Sequence, residues 1–425
     1  MRTLLTLALL AAAQLPAAAA FRASVVKVDI TPTTPKWLLG YAARQSTGVH
    51  DRIHHRVVAM DDGSSKFILV SSDVCMFSPT VYEEAARRLQ KETGIPATHF
   101  WWTVTHTHSA PEVGPPGIYT VLLKGRSEHP VDNEYTEFFL TSLIKATKEA
   151  VNNLQPARLA TGTGMAMANI NRRALDVDGQ ISLGLNPDGP VDRQIGLIRL
   201  EKADGSLMAL VANYAMHGTV LGGSWMQISG DAQGIVADYV EKKLGAPMLY
   251  VNGAAGNIAP IYSVYPTPRA GHLTQFNILL GDKIIAANQA LGAGSSDVKL
   301  WAGELWVDTP RKEGLDWNED LAAYAKTSPS GKPLVRLPVR FFKLNDTVAW
   351  GVPVEMFCEI AMYVRNHSPF AKTFFFGYNN GWIGYLPTKA GFAEGGYEPK
   401  TSVFSDQVEE DLKQAVVTYL QSIPR

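Results

Sequence analysis

Hydrophobic and polar positions alternate in several short runs that predict β-strands. Residues 24–31 alternate like a strand with one buried face, and residues 67–72 form a short apolar run. A turn signal rich in Asp, Gly and Ser lies between them at residues 61–64. Residues 79–93 instead place apolar side chains at helical spacing and are followed by Gly94, a residue type that often ends a helix. This order of strand, helix and strand predicts an α/β fold.

The same two patterns recur along the rest of the chain. No internal repeat or flexible linker divides it, and roughly 400 residues exceed the usual size of a single core, so we expect one large or two closely packed domains. The predicted architecture is a mixed β-sheet core with surrounding helices. Helices are predicted at residues 133–153, 232–244, 273–291 and 407–420, and strands at residues 156–163, 195–200, 206–214, 247–252 and 347–352.

The first 20 residues predict a secretory signal peptide. A charged start is followed by an apolar run from Leu4 to Leu15 and by small residues that place cleavage before Phe21. The apolar run is too short to span a bilayer. We therefore expect a periplasmic or secreted protein. The formal net charge is only −1 and the basic residues are dispersed, so no nucleic-acid partner is expected.

Two cysteines and two neighbouring histidines are interpreted as structural residues. Cys75 and Cys358 lie far apart in apolar runs. A disulfide is permitted in an exported protein, but we expect two buried free thiols that take no part in a redox or metal motif. His54 and His55 are expected to be loop or strand-surface residues and not metal ligands.

The stretch with the clearest chemical potential is Thr105-His106-Thr107-His108-Ser109, which follows an apolar run and enters a loop rich in Pro and Gly. In a strand, residues two apart point to the same face, so His106 and His108 can face one cavity. Two neutral imidazoles in that position could bind zinc. An exposed polar strand edge would give the same pattern, so this stretch alone leaves both interpretations open.

Further ligand-type residues also stand just beyond apolar strands. His217 follows the strand predicted at residues 206–214, Glu355 follows the one at residues 347–352, and Tyr385 lies in a loop rich in Gly and Asn. Two histidines and one carboxylate on zinc leave an open position for water. The sequence thus favours a zinc site at the strand ends, although it does not show that these residues meet in space.

Several motifs lie in a consistent order across most of residues 25–400. They are Ile30-Thr31-Pro32, Gly48-Val49-His50-Asp51, Thr105 to Ser109, Asn171-Arg172, Asn186 to Asp192, Asn213 to His217, Asn252 to Asn257, and the block from Gly384-Tyr385 to Glu398. Together they resemble the neutral ceramidase family, whose members are zinc amidases that cleave ceramide into sphingosine and a fatty acid.

The resemblance implies roles for seven residues. His108 would exchange protons with the attacking water or the leaving amine, and Arg172 and Tyr397 would stabilise the oxyanion. The zinc ligands that it implies are His106, His217, Glu355 and Tyr385.

Two departures from the family pattern limit these expectations. The family has G-D-x-S-P where this chain has Gly256-Asn257-Ile258-Ala259-Pro260. Ala259 has no hydroxyl, which excludes a serine nucleophile at that point but leaves a mechanism with zinc and water intact. The family also has a C-terminal immunoglobulin-like domain. We expect residues 21–425 to form the catalytic domain alone.

The function predicted first is therefore that of a secreted, zinc-dependent hydrolase acting on an amide, above all N-acyl-sphingosine. Its partner would be a small-molecule or lipid substrate, with transient contact to a membrane surface. Two alternatives stay open. One is a zinc hydrolase of a different amide or of an ester, which the change at Ala259 motivates. The other is a homologue that binds zinc or a ligand without catalysis.

Overall fold

The structure is a computed structural model that describes residues 21–126, 128–263 and 270–424. The predicted signal peptide, residues 1–20, lies outside the described residues. Within the described residues, no helix combines the length and the apolar character that a membrane span requires.

The strands are numbered in chain order, and most of the longer ones coincide with apolar or alternating runs of the sequence. They are β1 (Arg22–Asp29), β2 (Trp37–Leu38), β3 (Arg44–Gln45), β4 (Gly48–Val49), β5 (His54–Asp61), β6 (Lys66–Ser72), β7 (Phe100–Val104), β8 (Gln155–Met165), β9 (Asn169–Leu175), β10 (Ile181–Asn186), β11 (Gln194–Lys202), β12 (Leu207–Tyr214), β13 (Gln227–Ile228), β14 (Met248–Asn252), β15 (Ile258–Pro260), β16 (Leu300–Pro310), β17 (Ala325–Thr327), β18 (Pro333–Leu344), β19 (Thr347–Gly351), β20 (Glu355–Met356), β21 (Lys372–Phe376) and β22 (Tyr385–Leu386).

The helices begin and end at residues that suit their termini. In the first helix, the Ser78 hydroxyl accepts a hydrogen bond from the Thr80 amide, and Gly94 ends the helix with a φ of +71°. The helices are α1 (Pro79–Thr93), α2 (Tyr119–Leu122), α3 (Asn133–Asn152), α4 (Asp231–Leu244), α5 (Ala270–Phe276), α6 (Asp282–Gln289), α7 (Cys358–His367), α8 (Lys389–Glu394), α9 (Tyr397–Lys400) and α10 (Val408–Ser422), with a π-helical turn (Asn277–Gly281) between α5 and α6 and 3-10 turns at Ala97–His99 and Glu319–Tyr324.

Two large mixed sheets form the core. The larger has the strand order β14-β12-β11-β8-β1-β5-β6-β7, in which only the outer pairs β12/β14 and β6/β7 are parallel. The smaller has the order β16-β18-β19-β21, with β17 added beside β18. A third, three-stranded sheet has the order β10-β9-β15, and β20 pairs with β22.

The two large sheets pack face to face through aromatic and aliphatic side chains. Phe67 of the larger sheet stacks on Phe342 of the smaller at 3.4 Å between ring centroids, and Trp101 lies edge-on to Phe376 at 5.9 Å. Helices α1, α3 and α4 cover the larger sheet, and α7 and α10 pack beside the smaller one.

The larger sheet curls until its end strand β14 lies against β6 and β7. The Ser71 hydroxyl donates to the carbonyl of Tyr250, and the Asn252 amide group donates to the carbonyl of Thr105 at 3.3 Å. The loops that follow β6, β7, β12 and β14 therefore gather at one place, although β7 and β14 are at opposite ends of the strand order. This curl positions the candidate site.

The predicted fold class, a mixed sheet core with surrounding helices, is confirmed. Two local predictions are wrong, and one hairpin was not predicted. Residues 169–175 and 181–186 form the hairpin β9–β10, which is absent from the predicted strands. Cys358 lies in an apolar run that resembles a strand, but it begins helix α7. His54 and His55 lie in β5 but are buried, with exposed fractions of 9% and 0%, so they are not surface residues.

Candidate active site

His106 and His108 lie in a loop and not on a strand, because β7 ends at Val104. This corrects the predicted strand geometry. His106 has a φ of +64°, a left-handed conformation that is unfavourable for histidine and is typical of functional sites. The two side chains nevertheless meet, with 3.1 Å between their Nε2 atoms.

Two glycines allow this loop to pack closely. The His108 amide donates to the carbonyl of Gly218 at 2.9 Å, and a Cβ atom at Gly218 would lie 2.4 Å from the carbonyl oxygen of His106. On the other side, Gly40 has a φ of +109°, and a Cβ there would lie 2.5 Å from the His108 ring. Both positions therefore require glycine.

The other three predicted ligands come from separate elements. His217 follows β12, which brings it beside His106 because of the curl of the larger sheet. Glu355 and Tyr385 face each other directly in the short parallel pair β20/β22. All three side chains are buried, with exposed fractions of at most 3%.

The ligand-type atoms of these residues converge on one point. The Oε2 atom of Glu355 lies 3.0 Å from Nε2 of His217 and 3.4 Å from Nε2 of His106. The candidate ligand atoms of His106, His217 and Glu355 all lie within 4.8 Å of one another. The Tyr385 hydroxyl is 3.4 Å from Nε2 of His217. The structure thus brings together all four predicted metal ligands.

Backbone carbonyls fix which nitrogen of each imidazole faces this point. Nδ1 of His106 donates to the carbonyl of Cys75 at 2.7 Å, and Nδ1 of His217 donates to the carbonyl of Ala255 at 2.7 Å. Because a carbonyl only accepts, each Nδ1 carries the hydrogen, and each Nε2 presents its lone pair to the site. Two such nitrogens, a carboxylate and a phenol oxygen fit a divalent metal ion.

The electrostatics of the cluster also match a cation site. Burial lowers the pKa of His217 to about 4, which keeps this ring neutral. Although burial acts against it, the Cys75 sulfur and Glu355 raise the pKa of His106 to about 10. When no metal ion is bound, a proton on His106 thus supplies the positive charge that lies beside the Glu355 carboxylate. A metal ion would compete with that proton for the same Nε2 lone pair.

Sequence reasoning missed two residues that orient Glu355. The Trp382 indole N–H donates to Oε1 of Glu355 at 2.8 Å, and the Tyr378 hydroxyl donates to Oε2 at 3.3 Å. The Tyr378 ring also stacks on His106 at 4.2 Å between centroids. Trp382 was expected only in the core or a pocket wall. The signal in the sequence that could have identified Trp382 and Tyr378 is the Gly- and Asn-rich loop that carries both residues.

Arg172 reaches the cluster from strand β9. Its Nη2 donates to the Tyr385 hydroxyl at 3.2 Å, and its Nε donates to Oε1 of Glu398 at 2.9 Å. Burial lowers the pKa of Arg172, but Tyr385, Glu398 and Glu355 raise it more, so the guanidinium stays charged. Tyr397 lies one layer further out, with its ring 5.6 Å from that of Tyr385.

His108 stands at the edge of the cluster with an exposed fraction of 8%. Its carbonyl accepts a hydrogen bond from Arg44, and the Tyr41 ring lies edge-on to its imidazole at 4.9 Å. Burial, with the nearby His106 and His217, lowers the pKa of His108 well below its usual value, so the ring is neutral. A neutral imidazole beside a metal site can accept a proton.

Both cysteines are free and buried, as expected. Cys75 was expected to take no part in a metal motif, but its sulfur lies 3.7 Å from Nδ1 of His106. Asp231, the first residue of helix α4, accepts hydrogen bonds from the backbone amides of Ala232 and of Val220 and Leu221, which lie in the loop that follows His217.

More than half of the chain matches a known family. Residues 21–260 match the family model for the N-terminal part of neutral/alkaline non-lysosomal ceramidases. Neutral ceramidase A of Dictyostelium discoideum is 29% identical over 332 residues, which cover 72% of this chain and 44% of that protein. Neutral ceramidase B of the same organism is 28% identical over 224 residues, which cover 49% and 30%. The chain thus spans less than half the length of these curated relatives.

Solved structures share the fold. A neutral ceramidase from Pseudomonas aeruginosa superposes with a TM-score of 0.76 at 19% identity, covering 96% of this chain and 75% of that one. A ceramidase complexed with C2 gives a TM-score of 0.76 at 18% identity, covering 95% and 76%. At this level of identity the likeness establishes the architecture and not the substrate.

Proposed function

The chain belongs to the neutral/alkaline non-lysosomal ceramidase family, and on that premise we propose that it is a zinc-dependent hydrolase that cleaves the amide bond of an N-acyl lipid. N-acyl-sphingosine is the first candidate substrate, because the curated relatives carry the name neutral ceramidase. The observation that carries the proposal is the convergence of His106, His217 and Glu355, with both Nε2 lone pairs turned toward the carboxylate.

Four residues would hold the metal ion, namely His106, His217, Glu355 and Tyr385. When bound there, zinc supplies Lewis acidity, which polarises a carbonyl group and lets water ionise near neutral pH. Trp382 and Tyr378 hold the Glu355 carboxylate in place by hydrogen bonds to its two oxygens. Such supporting partners commonly contribute 10- to 100-fold to metal affinity or activity.

His108 is proposed to move the proton. Its ring is neutral and its Nε2 lies 3.1 Å from Nε2 of His106, so it stands beside the metal ligands without needing to be one. It would accept a proton from the attacking water and return it to the nitrogen of the leaving amine. Positioned groups of this kind contribute roughly 10²- to 10⁴-fold.

Arg172 and Tyr397 are proposed to stabilise the oxygen of the tetrahedral intermediate. Arg172 already donates a hydrogen bond to the Tyr385 hydroxyl, and Glu398 fixes its side chain. A charged donor held in place needs little reorganisation as negative charge develops, and one such donor can stabilise a transition state by about 3 to 4 kcal/mol. Tyr397 would add a hydroxyl on the same side.

One observation favours a second candidate, a hydrolase of a smaller amide or of an ester. Ala259 is buried in strand β15 opposite Ile170, at the position where the family pattern has serine. The chain's own substrate can therefore differ from ceramide while the metal chemistry is retained. Export and transient contact with a membrane surface remain proposals that rest on residues 1–20 and on the lipid nature of the first substrate.

The test is a substrate panel assayed with the purified, zinc-loaded protein. Ceramide and short N-acyl amides and esters are incubated with the wild type and with His108→Gln, and the released acid and amine are quantified. We expect amide turnover that falls roughly 100-fold or more in His108→Gln, while the exposed His367→Gln serves as the matched control. Turnover of esters alone would support the second candidate. Zinc binding without any turnover would indicate a non-catalytic homologue.

A further inference from the structure

A second cavity lies on the other side of strand β9 from the metal site. Side chains alternate along a strand, so Asn171 and Arg173 leave β9 on the opposite side from Arg172. Both arginine side chains nevertheless reach the carboxylate of Glu398, and Arg172 also donates to the Tyr385 hydroxyl. Asn171 and Arg173 line a cavity of about 360 Å³. Its other walls come from the β9–β10 hairpin, the β15 loop and the start of helices α7 and α8, and they include Leu175, Ile181, Pro190, Asn257, Phe357 and Glu359.

This cavity carries an excess of negative charge. Arg173 is already paired with Glu398 at 2.6 Å and with Glu394 at 3.0 Å. The carboxylate of Glu359 accepts hydrogen bonds from Asn257 at 2.8 Å and from the Cys358 thiol at 3.3 Å. Within the described residues no cationic side chain lies within ion-pair distance of it. Burial raises the pKa of Glu359, as expected for a carboxylate that lacks a cation.

The rest of the wall is apolar and ends at an exposed rim. Phe357 is buried, with the Arg173 guanidinium 5.2 Å from its ring centroid, Ile181 is half-buried, and Leu175 is 70% exposed. A single exposed leucine is ordinary on a protein surface, but together with Ile181 and Phe357 it gives the cavity one apolar wall. At about 30 Å³ per heavy atom, the cavity has room for roughly ten such atoms.

We propose that this cavity binds a primary alkylammonium ion, with the ammonium group on Glu359 and the alkyl chain against Phe357, Ile181 and Leu175. A partly buried carboxylate that lacks a cationic partner, beside an apolar wall, matches an amphiphile with a single positive head. Cleavage of an N-acylated alkylamine releases such an amine, so this site extends the proposed function. Binding can be measured without turnover, which separates a failure of this site from a failure of the proposed activity.

The test is calorimetric titration of the zinc-loaded protein with n-octylammonium chloride near neutral pH. We expect saturable binding to one site, at least tenfold weaker for n-octanol, which has the chain but no charge. Affinity should rise about three- to fourfold per added methylene from butyl- to octylammonium. Glu359→Gln should weaken octylammonium binding at least tenfold, with Glu313→Gln, an exposed glutamate elsewhere, as the matched control.

Two further variants keep the outcome decisive. Leu175→Lys adds a positive charge at an exposed position of the mouth, which the fold should tolerate, and it should weaken octylammonium binding several-fold. Amines can also ligate zinc, so His217→Ala, which removes a proposed metal ligand, tests whether octylammonium binds at the metal site. Binding in the second cavity should be retained in this variant. Equal affinity in the wild type and Glu359→Gln, equal affinity for octanol, or loss of binding in His217→Ala would each overturn the proposal.

Discussion

Two clusters of charged residues lie on the larger sheet and beside its loops, and they differ in the source of their positive charge. In the first, Arg56 of β5 pairs with Asp73 at 2.8 Å, with Glu241 at 2.8 Å and with Asp238 at 3.2 Å. In the second, Glu355 faces His106 and His217. Arg56 is 1% exposed and Glu355 2%, so the central charge of each cluster is removed from water, whereas the Asp238 side chain is 42% exposed.

The difference lies in where the positive charge comes from. In the Arg56 cluster the chain supplies permanent cations, and Lys27 adds a second one beside Asp238 and Glu241. In the Glu355 cluster the chain supplies oxygen and nitrogen lone pairs that point at a common centre. The nearby Arg172 is paired with Glu398, and Arg44 donates to the carbonyl of His108. A buried anion without a permanent partner is costly. Arg56 thus stabilises the fold, whereas the Glu355 cluster is arranged for an added cation.

The strongest test of this difference between the two clusters is the loss of a proposed metal ligand, for which we expect the largest effect. His217→Ala removes one of the two Nε2 lone pairs, so the protein should bind less than a tenth of the metal held by the wild type. Catalytic activity should fall at least 10³-fold, because the metal contributes several kcal/mol to the transition state. Elemental analysis and turnover of the best substrate in the panel provide the measurements.

The matched variant for this prediction is His50→Ala. This exposed histidine contacts Asp51 at 2.7 Å and lies outside the metal cluster, so metal content should be unchanged. If His217→Ala kept both its metal and its activity, the two buried clusters would have to be regarded as equally structural.

The next largest effect should come from the Arg56 cluster. Asp73→Ala leaves the buried guanidinium without its innermost partner, and removing one member of a buried ion pair typically destabilises a fold by about 3 to 5 kcal/mol. The midpoint of urea unfolding should therefore fall, while metal content and activity per folded molecule stay at the wild-type level. An Asp73→Ala protein with wild-type stability but little metal would reverse the assignment of the two clusters.

The two histidines of the candidate metal site could be identified from the sequence. His106 and His217 each follow an apolar run, and a histidine at the predicted end of a buried strand can be recognised without a structure. Glu355 and Tyr385 lie in strands of only two residues. Such short elements have no periodicity, so their positions after an apolar run and in a Gly- and Asn-rich loop pointed to them only weakly, and the family resemblance gave them their proposed role as ligands.

The parts that could not be predicted depend on long-range packing. The curl that brings β14 against β7 is set by contacts such as that of Asn252 with Thr105, which are 147 residues apart. The left-handed φ of His106 follows from its fixed surroundings and not from local preference. The β9–β10 hairpin that carries Arg172 is different, because the alternation of apolar and polar residues from Ile181 to Asn186 was a signal for β10 that was not used.

The smallest expected effect is on the pH dependence of stability, and it comes from His55, a histidine outside both clusters. His55 is fully buried, its Nε2 donates to the carbonyl of Phe139 and its Nδ1 accepts from the Ser72 hydroxyl. Burial lowers its pKa to about 4. The unfolded chain binds the proton more readily, so the stability contribution is complete above pH 6.5 and is lost as the pH falls toward 4. The total loss should be about 3 kcal/mol.

His55→Gln separates this histidine from the other groups that titrate in acid. The variant should be less stable at pH 7, but its stability should fall less steeply than that of the wild type between pH 6.5 and 4. Burial acts to raise the pKa of Asp73, yet Arg56 and His54 lower it to about 2, so its contribution is lost only between about pH 4 and 2. Release of a metal ion bound as proposed would affect both proteins alike at equal zinc, so this effect cancels in the difference between their unfolding curves. A difference that does not change from pH 6.5 to 4 would mean that His55 titrates normally, and that its burial in β5 is not what keeps it neutral.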